Sequence, residues 1–289
     1  MRIGIIGKGF VGSAVQFGFS PNVGCDADVK VYDKDINKST HSLEEVVNDS
    51  EYVFISVPTP ASVDGKINLD ILDNCLSEID SVAKSSETIF LLRSTIVPGS
   101  SRNFQNKYPK LKLVFNPEFL TERSANYDFI NQTRIILGGS IKDTNKVADL
   151  FRWRFGKSIP VIETNFESAE LIKYMTNTFL ATKVSFLNDM KLLSDKIDGD
   201  WDSILDGFIR DGRIGHSHLN VPGHDGKLGF GGSCFPKDIQ AIIHFADSID
   251  VNLSVLKGAW ETNLKVRPER DWEQLKGRAV SASDKDNEK

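Results

Sequence analysis

The sequence predicts an α/β fold in which a doubly wound parallel sheet is followed by a long helix and a small all-α domain. Three observations predict it. Short β-branched runs alternate with helical stretches through roughly the first 163 residues. A glycine-rich turn directly follows the first of these runs. Beyond residue 163 the chain continues for about 30 residues without Pro or Gly, which is typical of one long helix.

Each predicted strand is a short aliphatic run that ends at glycine or polar residues, as expected for a strand buried on both faces. Apolar residues recur at helical spacing between these runs. The predicted strands, in order, are Arg2–Gly7, Val29–Tyr32, Tyr52–Val57, Thr88–Arg93, Leu111–Phe115, Arg134–Leu137 and Ile159–Ile162. The predicted helices among them are Gly12–Phe19, Leu43–Asn48, Leu69–Ala83 and Val147–Phe155.

The second half of the chain is predicted to be helical. Thr164-Asn165-Phe166-Glu167 has the T-x-x-E form of a capping box, so a helix should begin there and run to Ile197. A helix of that length usually crosses between domains or lies in a subunit interface. Further helices are expected at Trp201–Phe208 and Asp238–Asp247. The predicted domains are therefore 1–163, a helical domain at 164–266, and a charged, disordered tail at 267–289.

Composition excludes several classes of function. Hydrophobic residues make up 40% of the chain and charged residues 26%, and the net charge of −5 argues against a nucleic-acid surface. No stretch approaches a membrane span, and the first ten residues do not resemble an export signal. The three cysteines imply no disulfide framework, and His216 and His218 are expected in a solvated loop rather than at a metal. We therefore expect a cytoplasmic protein without a metal.

The glycine-rich turn predicts a dinucleotide site. Residues 7–12, GKGFVG, have the form G-x-G-x-x-G between a strand and a helix, and Asp33 ends the next strand. The helix N-terminus can bind a pyrophosphate, and the Asp33 carboxylate can bind a ribose diol, which favours NAD over NADP. The alternative is a glycine turn needed only for packing. The predicted cofactor-binding residues here are Gly7, Gly9, Phe10, Val11, Gly12, Asp33 and Lys34, of which Lys34 slightly weakens the preference for NAD.

One cysteine has surroundings typical of a nucleophile. Cys234 lies between the glycines of GFGGS and the triplet Pro236-Lys237-Asp238. A nearby ammonium group and a helix N-terminus both lower the pKa of a thiol, and the glycines leave room for a ligand. Cys25 and Cys75 lack such neighbours. The alternative is that Cys234 is a small buried hydrophobic residue.

Two further pairs of polar residues have helical spacing. Lys173 and Asn177 share one face of the long helix, where a partly buried Lys can transfer a proton or stabilise an oxyanion. Spacing alone favours the alternative, an exposed Lys–Asn pair on an amphipathic helix. Glu118 and Glu122 are also four apart, and Asn116 and Pro117 could begin a helical turn that carries both glutamates. Thr95 follows a predicted strand, at the edge where open α/β sheets bind ligands.

In this order, the motifs resemble those of the UDP-glucose/GDP-mannose dehydrogenase family. They are GKGFVG, VPTP, RSTIVPG, NPEFLTE, AELIKYMTNTFLA, DGRIG and GFGGSCFPKD, and they span residues 3 to about 266. The resemblance implies two successive NAD-dependent oxidations of a nucleotide sugar, UDP-glucose by preference, with Cys234 as the nucleophile. It implies catalytic roles for Lys173, Asn177, Glu118, Asp238 and Thr95. It implies cofactor contacts from Thr95, Glu122 and Lys237, and substrate contacts from Glu118, Phe119, Leu120, Glu122, Lys173, Asn177, Arg213, Phe230 and Gly231.

The resemblance also implies a homodimer through the long helix. It departs at the C-terminus, because family members continue into another Rossmann-like domain that helps to bind uridine diphosphate, whereas residues 267–289 alone follow Val266 here. Three explanations stay open: a cut sequence, a naturally short member of the family, or a partner that supplies the missing surface. Two other functions stay open: a one-step NAD-dependent hydroxyacid dehydrogenase, and a catalytically inactive binding protein.

Overall fold

The computed structural model describes residues 1–62 and 64–281, which form two compact units. The first comprises Met1–Thr59 and Leu69–Lys173, and the second comprises Pro60–Asn68 and the chain from Tyr174 onwards. The boundary near residue 163 predicted from the sequence therefore lies about ten residues too early, because the first turns of the long helix belong to the first unit.

The first unit contains a seven-stranded sheet in the order β2-β1-β3-β4-β5-β6-β7. Most neighbouring strands pair in parallel, as the alternating pattern predicts. The strands are β1 (Arg2–Ile6), β2 (Asp28–Tyr32), β3 (Tyr52–Ile55), β4 (Ile89–Leu92), β5 (Lys112–Phe115), β6 (Ile135–Gly139) and β7 (Val161–Thr164).

One pair of strands differs from the predicted parallel sheet. β5 and β6 run antiparallel, with Val114 opposite Gly139 and Phe115 opposite Gly138. The connection between them carries a six-residue helix, α5 (Ala125–Ile130), which packs against α1 (Phe10–Gly18). The chain therefore enters β6 from the end of the sheet at which β5 leaves it, and β6 and β7 form a reversed pair at the edge.

The remaining helices of this unit cover both faces of the sheet, which confirms the doubly wound arrangement. Side chains alternate along each strand, so Val53 and Ile55 join one buried cluster whereas Phe54 joins the other. These helices are α2 (Leu43–Asp49), α3 (Asp70–Val82), α4 (Ser100–Lys107) and α6 (Ile141–Phe155). Residues of α2, α3 and α4 pack in the first cluster, and residues of α1 and α6 pack in the second.

The long helix, α7 (Phe166–Lys196), has 31 residues, as expected from the stretch without Pro or Gly. Its N-terminal cap differs from the predicted capping box. The Asn165 side chain, rather than Thr164, accepts a hydrogen bond from the Ser168 N–H at 2.8 Å. Thr164 is the last residue of β7, so its backbone is part of the sheet. The capping side chain is therefore that of the next residue, Asn165.

The second unit is built on the later part of α7 and three shorter helices. Ala181 of α7 packs with Phe230, Ile239 and Ala259 in one buried cluster. A second cluster joins Leu187 of α7 to Leu219 and Val221, and side chains of α8 pack against it. The shorter helices are α8 (Trp201–Ile209), α9 (Phe235–Asp247) and α10 (Ser254–Val266). None of the helices in residues 1–62 and 64–281 combines the length and apolar character needed to cross a membrane.

The chain beyond Val266 is folded as far as it is described, which corrects the prediction of a disordered tail from Arg267 to residue 281. The Trp272 side chain is only 2% exposed and lies with its ring centroid 5.3 Å from that of Trp260. Residues 279–281 also form backbone hydrogen bonds with Ala61. Apolar burial thus outweighs the charged composition of this segment. Residues 282–289 of the predicted tail lie outside the described part of the chain.

Candidate active site

The glycine-rich turn between β1 and α1 has the geometry of a dinucleotide site. Gly7 has a left-handed φ of 88°, and its N–H donates to the Tyr32 carbonyl at 2.9 Å. A Cβ on Gly12 would lie 2.0 Å from the Gly7 carbonyl oxygen, so this position requires glycine. A Cβ on Gly9 would meet nothing within 4 Å, so a phosphate can approach the backbone before Phe10 and Val11 begin α1.

Asp33 lies beside this turn, immediately after β2. Its Oδ2 accepts a hydrogen bond from the Lys8 N–H at 2.6 Å, and its Oδ1 accepts one from the Asp35 N–H at 2.9 Å. Lys34 instead points to Glu78, with Nζ 3.5 Å from the carboxylate, and both side chains are largely exposed. The turn and the fixed Asp33 carboxylate therefore fit the diphosphate and ribose of a dinucleotide.

The loops that follow β3 and β4 are tied to each other. The Thr59 hydroxyl donates to the Thr95 carbonyl at 2.7 Å, and the Ser94 hydroxyl donates to the Val57 carbonyl at 2.6 Å. Because both loops lie at the carboxyl ends of parallel strands, the half-buried Thr95 occupies the sheet edge predicted for it.

Glu118 and Lys173 form a buried ion pair in the first unit. The Lys173 Nζ lies 3.0 Å from Glu118 Oε1 and also donates to the Glu118 carbonyl. The two residues are 6% and 3% exposed, which rules out the alternative of an exposed Lys173. Glu118 Oε2 accepts from the Leu120 N–H at 2.7 Å, and the Phe119 ring centroid lies 5.3 Å from Lys173 Nζ. A charged amine is thus held against a carboxylate in an environment of low polarity.

The predicted turn that would align Glu118 with Glu122 is not formed. Residues 116–121 have no regular structure, and the exposed Glu122 begins a short 3-10 helix. The Asn116 side chain does not cap a helical turn, because it accepts from Arg93 and donates to the Ile136 carbonyl. These buried tertiary hydrogen bonds replace the local cap that the sequence predicted.

Asn177, Lys237 and Asp238 form a buried chain of hydrogen bonds in the second unit. The Asn177 Nδ2 donates to Asp238 Oδ2 at 2.6 Å, and the Lys237 Nζ donates to Asp238 Oδ1 at 2.7 Å. Asp238 is 1% exposed, and the other two residues are less than a tenth exposed. Both oxygens of Asp238 are therefore occupied, which fixes the orientation of the Asn177 amide.

Cys234 is the N-cap residue of α9, one residue before its first turn, much as the position of Pro236 predicts. It is half-buried, and its Sγ lies 3.8 Å from the Ser233 hydroxyl. The other two thiols are buried, and burial raises the pKa of Cys75 to about 12 and shifts that of Cys25 in the same direction. Of the three thiols, Cys234 is thus the accessible one and lies at the positive end of a helix.

The glycine loop before Cys234 is held by side chains that sequence reasoning missed. The Gly229 N–H donates to Asn188, the Phe230 N–H to Asn263, and the Gly232 N–H to Asp271. Asn188 and Asn263 are at most 1% exposed, so a lone amide within an apolar helical stretch was the available signal. The Phe230 side chain lies in the buried cluster with Ala181.

Gly231 lies against the chain that follows α10. A Cβ there would fall 2.5 Å from Arg267 Nη2 and 2.6 Å from the Asp271 carboxylate, so a side chain at this position would displace that ion pair. Arg267 donates to both Asp271 and Asp225 at 2.6 Å. Arg213, by contrast, is exposed and pairs with Asp211 of its own turn, apart from these contacts.

Comparison with known proteins relates both units to one family. The chain matches "UDP-glucose/GDP-mannose dehydrogenase family, NAD binding domain" over residues 26–153 and "UDP-glucose/GDP-mannose dehydrogenase family, central domain" over residues 167–265. It is 33% identical to UDP-glucose 6-dehydrogenase YwqF of Bacillus subtilis, over 77% of this chain and 50% of that protein. The chain therefore spans about half the length of this relative.

Two further relatives are covered more fully. UDP-glucose 6-dehydrogenase of Rickettsia bellii is 32% identical over 93% of this chain and 68% of its own length. The structure of a UDP-glucose dehydrogenase from the hyperthermophilic archaeon Pyrobaculum islandicum superposes with a TM-score of 0.77 at 26% identity. That superposition covers 95% of this chain and 70% of the archaeal one.

Proposed function

Because the chain belongs to the UDP-glucose/GDP-mannose dehydrogenase family, we propose that it oxidises a nucleotide sugar in two NAD-dependent steps. The proposed substrate is UDP-glucose, which would be converted at its C6 alcohol to UDP-glucuronate. The names of the Bacillus and Rickettsia relatives support this choice of sugar. The observation that carries the proposal is the accessible thiol of Cys234 at the start of α9, next to the buried hydrogen bonds of Asn177, Lys237 and Asp238.

The residues that would hold the cofactor are those of the glycine-rich turn. Free N–H groups at the start of α1 would bind the pyrophosphate, and Asp33 would accept hydrogen bonds from the ribose hydroxyls. Bound NAD supplies a hydride acceptor for each oxidation. The Asp33 carboxylate already accepts hydrogen bonds from two backbone N–H groups, so its side chain would lose little conformational freedom when the ribose binds.

Cys234 would be the nucleophile that lets one site remove four electrons. After the alcohol loses a hydride and a proton to give the aldehyde, the thiolate adds to the aldehyde carbon and the oxygen takes up a proton. Loss of a second hydride from that carbon, with loss of the proton, gives a thioester. Water then attacks the thioester carbonyl, the C–S bond breaks, and the thiolate and the carboxylate leave. Lys237 is paired with Asp238, and the N-terminus of α9 would help to stabilise the thiolate.

The buried polar groups would stabilise charge and move protons. Lys173 and Asn177 would donate to the oxyanions formed at C6, because both are held in fixed orientations by carboxylate partners. Glu118 would be the general base for hydrolysis, with Thr95 and Asp238 orienting the water. Arg213, Phe119, Leu120, Glu122 and the loop with Phe230 and Gly231 would contact the substrate.

The number of NADH molecules formed per sugar tests the proposal. Purified protein should produce two NADH for each UDP-glucose consumed, with the sugar acid as the product detected by mass spectrometry. UDP-N-acetyl sugars and GDP-mannose serve as alternative substrates in the same assay. One NADH per sugar with free aldehyde would contradict the covalent route and favour a one-step dehydrogenase. NAD binding without turnover of any nucleotide sugar would indicate a binding protein instead.

We also propose that the protein forms a homodimer through α7. An apolar stripe of exposed side chains runs along the part of this helix in the second unit and ends at Ile197, directly after it; Phe179 is 68% and Ile197 66% exposed. Exposed apolar stripes of this length are typical of subunit interfaces. The stripe consists of Met175, Phe179, Phe186, Met190, Leu193 and Ile197. Sedimentation equilibrium should give a dimer mass, and Phe179→Asp should shift it towards the monomer; a monomeric wild-type protein would refute the proposal.

A further inference from the structure

Glu170 is a buried acidic residue to which the proposed chemistry gives no role. It is 0% exposed and lies on α7, three residues before Lys173. Its Oε2 accepts a hydrogen bond from the Gly99 N–H at 2.6 Å, and its Oε1 accepts one from the Ser101 N–H at 2.7 Å. Both oxygens thus bind backbone N–H groups at the start of α4.

These contacts restrain the loop that carries Thr95. The loop runs from the end of β4 to Gly99, which has a left-handed φ of 93°. At one end the Thr95 carbonyl accepts from the Thr59 hydroxyl, and four residues later Glu170 binds the Gly99 N–H. Thr95 is therefore held at its own carbonyl and, four residues further along the loop, by the anchor at Gly99. The same helical turn of α7 carries Lys173, which binds Glu118.

We propose that Glu170 is a positioning residue whose ionised carboxylate fixes the Thr95 loop relative to Lys173 and Glu118. The proposal rests on the proposed function only in assigning these three residues to the reaction. Two acceptor oxygens are needed for two N–H donors. A protonated carboxyl group keeps one strong acceptor, its carbonyl oxygen, whereas its hydroxyl oxygen accepts only weakly, so the ionised form holds both donors more firmly. The side chain is thus best matched to its task when charged.

Ionisation of Glu170 falls in an accessible pH range. Burial raises its pKa to about 7, although the two backbone N–H groups oppose the shift. The charged groups that face it within the described residues are Glu167, on its own helix, and Arg102, on α4. Those two form an exposed ion pair at 3.0 Å. Glu167 therefore offers a matched control, because it lies on the same helix and meets the same partner helix but is exposed.

The direction in which pH changes stability and turnover distinguishes a positioning role of Glu170 from a role in folding alone. A carboxyl whose pKa is raised by folding stabilises the native state most below its unfolded pKa, and this contribution is lost as pH rises towards about 7. The positioning effect has the opposite pH dependence, because the Thr95 loop is fully held only above about pH 7. Relative to E170Q, wild-type protein should therefore lose stability and gain turnover as pH rises. A merely structural residue would change stability with pH but would leave the turnover of the folded protein unchanged relative to E170Q.

The test compares wild type, E170Q and E167Q. For E170Q at pH 8 we expect kcat to be reduced by about tenfold relative to wild type. The Kd for NAD should stay within about twofold of the wild-type value. The rise of kcat through pH 7 should flatten in E170Q and persist in E167Q. Urea unfolding at pH 5 and pH 8 gives the stability difference. Hydrogen exchange of residues 94–103 should show roughly tenfold or greater loss of protection at Gly99 or Ser101 in E170Q alone.

The outcomes separate this proposal from the proposed function. If E170Q loses amide protection in the loop but keeps the wild-type kcat and pH profile, Glu170 does not position the site. If wild-type protein oxidises no nucleotide sugar, the proposed function fails and hydrogen exchange alone decides. Unchanged protection in E170Q would then refute the anchoring of the loop, and lost protection would support it.

Discussion

Cys234→Ser is expected to abolish formation of the sugar acid, lowering its rate by at least about 10³-fold. The serine hydroxyl is far less acidic than the thiol, so the N-terminus of α9 cannot supply an alkoxide to capture the aldehyde. In the proposed route, the first oxidation does not need the sulfur. The variant should therefore still form up to one NADH per sugar, and chromatography of the product should detect the aldehyde.

The two other thiols provide the control. Cys75→Ala removes a buried sulfur, and its effect should be confined to stability. In wild-type protein, iodoacetamide should modify Cys234 before Cys25 or Cys75, because burial keeps the latter two protonated. Acid formation at the wild-type rate by Cys234→Ser would refute the covalent route.

Lys173→Met is expected to lower both stability and turnover. It removes the ammonium from a pair whose members are 6% and 3% exposed and leaves the Glu118 carboxylate buried with the Leu120 N–H. Removing one partner of such a pair typically costs about 3 kcal/mol in the free energy of unfolding. Loss of a donor to the oxyanion should lower kcat by about 10²-fold or more. Urea unfolding and steady-state kinetics measure the two effects.

A double variant separates the two effects of Lys173. In Lys173→Met/Glu118→Gln no charge is left buried at the pair, so much of the lost stability should return. Turnover should stay low, because neither the donor nor the base is restored. NAD affinity should stay near the wild-type value in both variants. Recovery of turnover together with stability would show that Lys173 acts only in folding.

The sequence predicts much of the sheet because its strands are short and buried on both faces. Runs such as YVFI and IFLL carry a strong local signal, and their bounds are confirmed to within two residues. The reversal between β5 and β6 could not be predicted in this way. The connection before β6 carries α5, which packs against α1, and such a tertiary contact leaves no periodic pattern at Ile135 to Gly139.

Residue spacing predicts which residues of the candidate site lie together, but it does not predict whether they are buried or exposed. It placed Lys173 and Asn177 on one face of a helix but left open whether that face was exposed, because burial depends on distant partners such as Glu118 and Asp238. Local rules failed where tertiary hydrogen bonds compete, as for the Asn116 side chain, which meets Arg93 instead of capping a turn. No role for Glu170 was predicted for the same reason, because its hydrogen-bond partners at Gly99 and Ser101 are distant in the sequence.

The segment after α10 determines where the helical unit can be shortened. Deleting the chain from Arg267 would strip the Gly232 amide of its Asp271 acceptor and expose Trp260 to solvent. The peptide that carries Cys234 would then lose an anchor two residues from the sulfur. A shortened version of this unit must therefore retain the segment that carries Asp271 and Trp272, because a cut directly after α10 would release the loop before Cys234 from this contact.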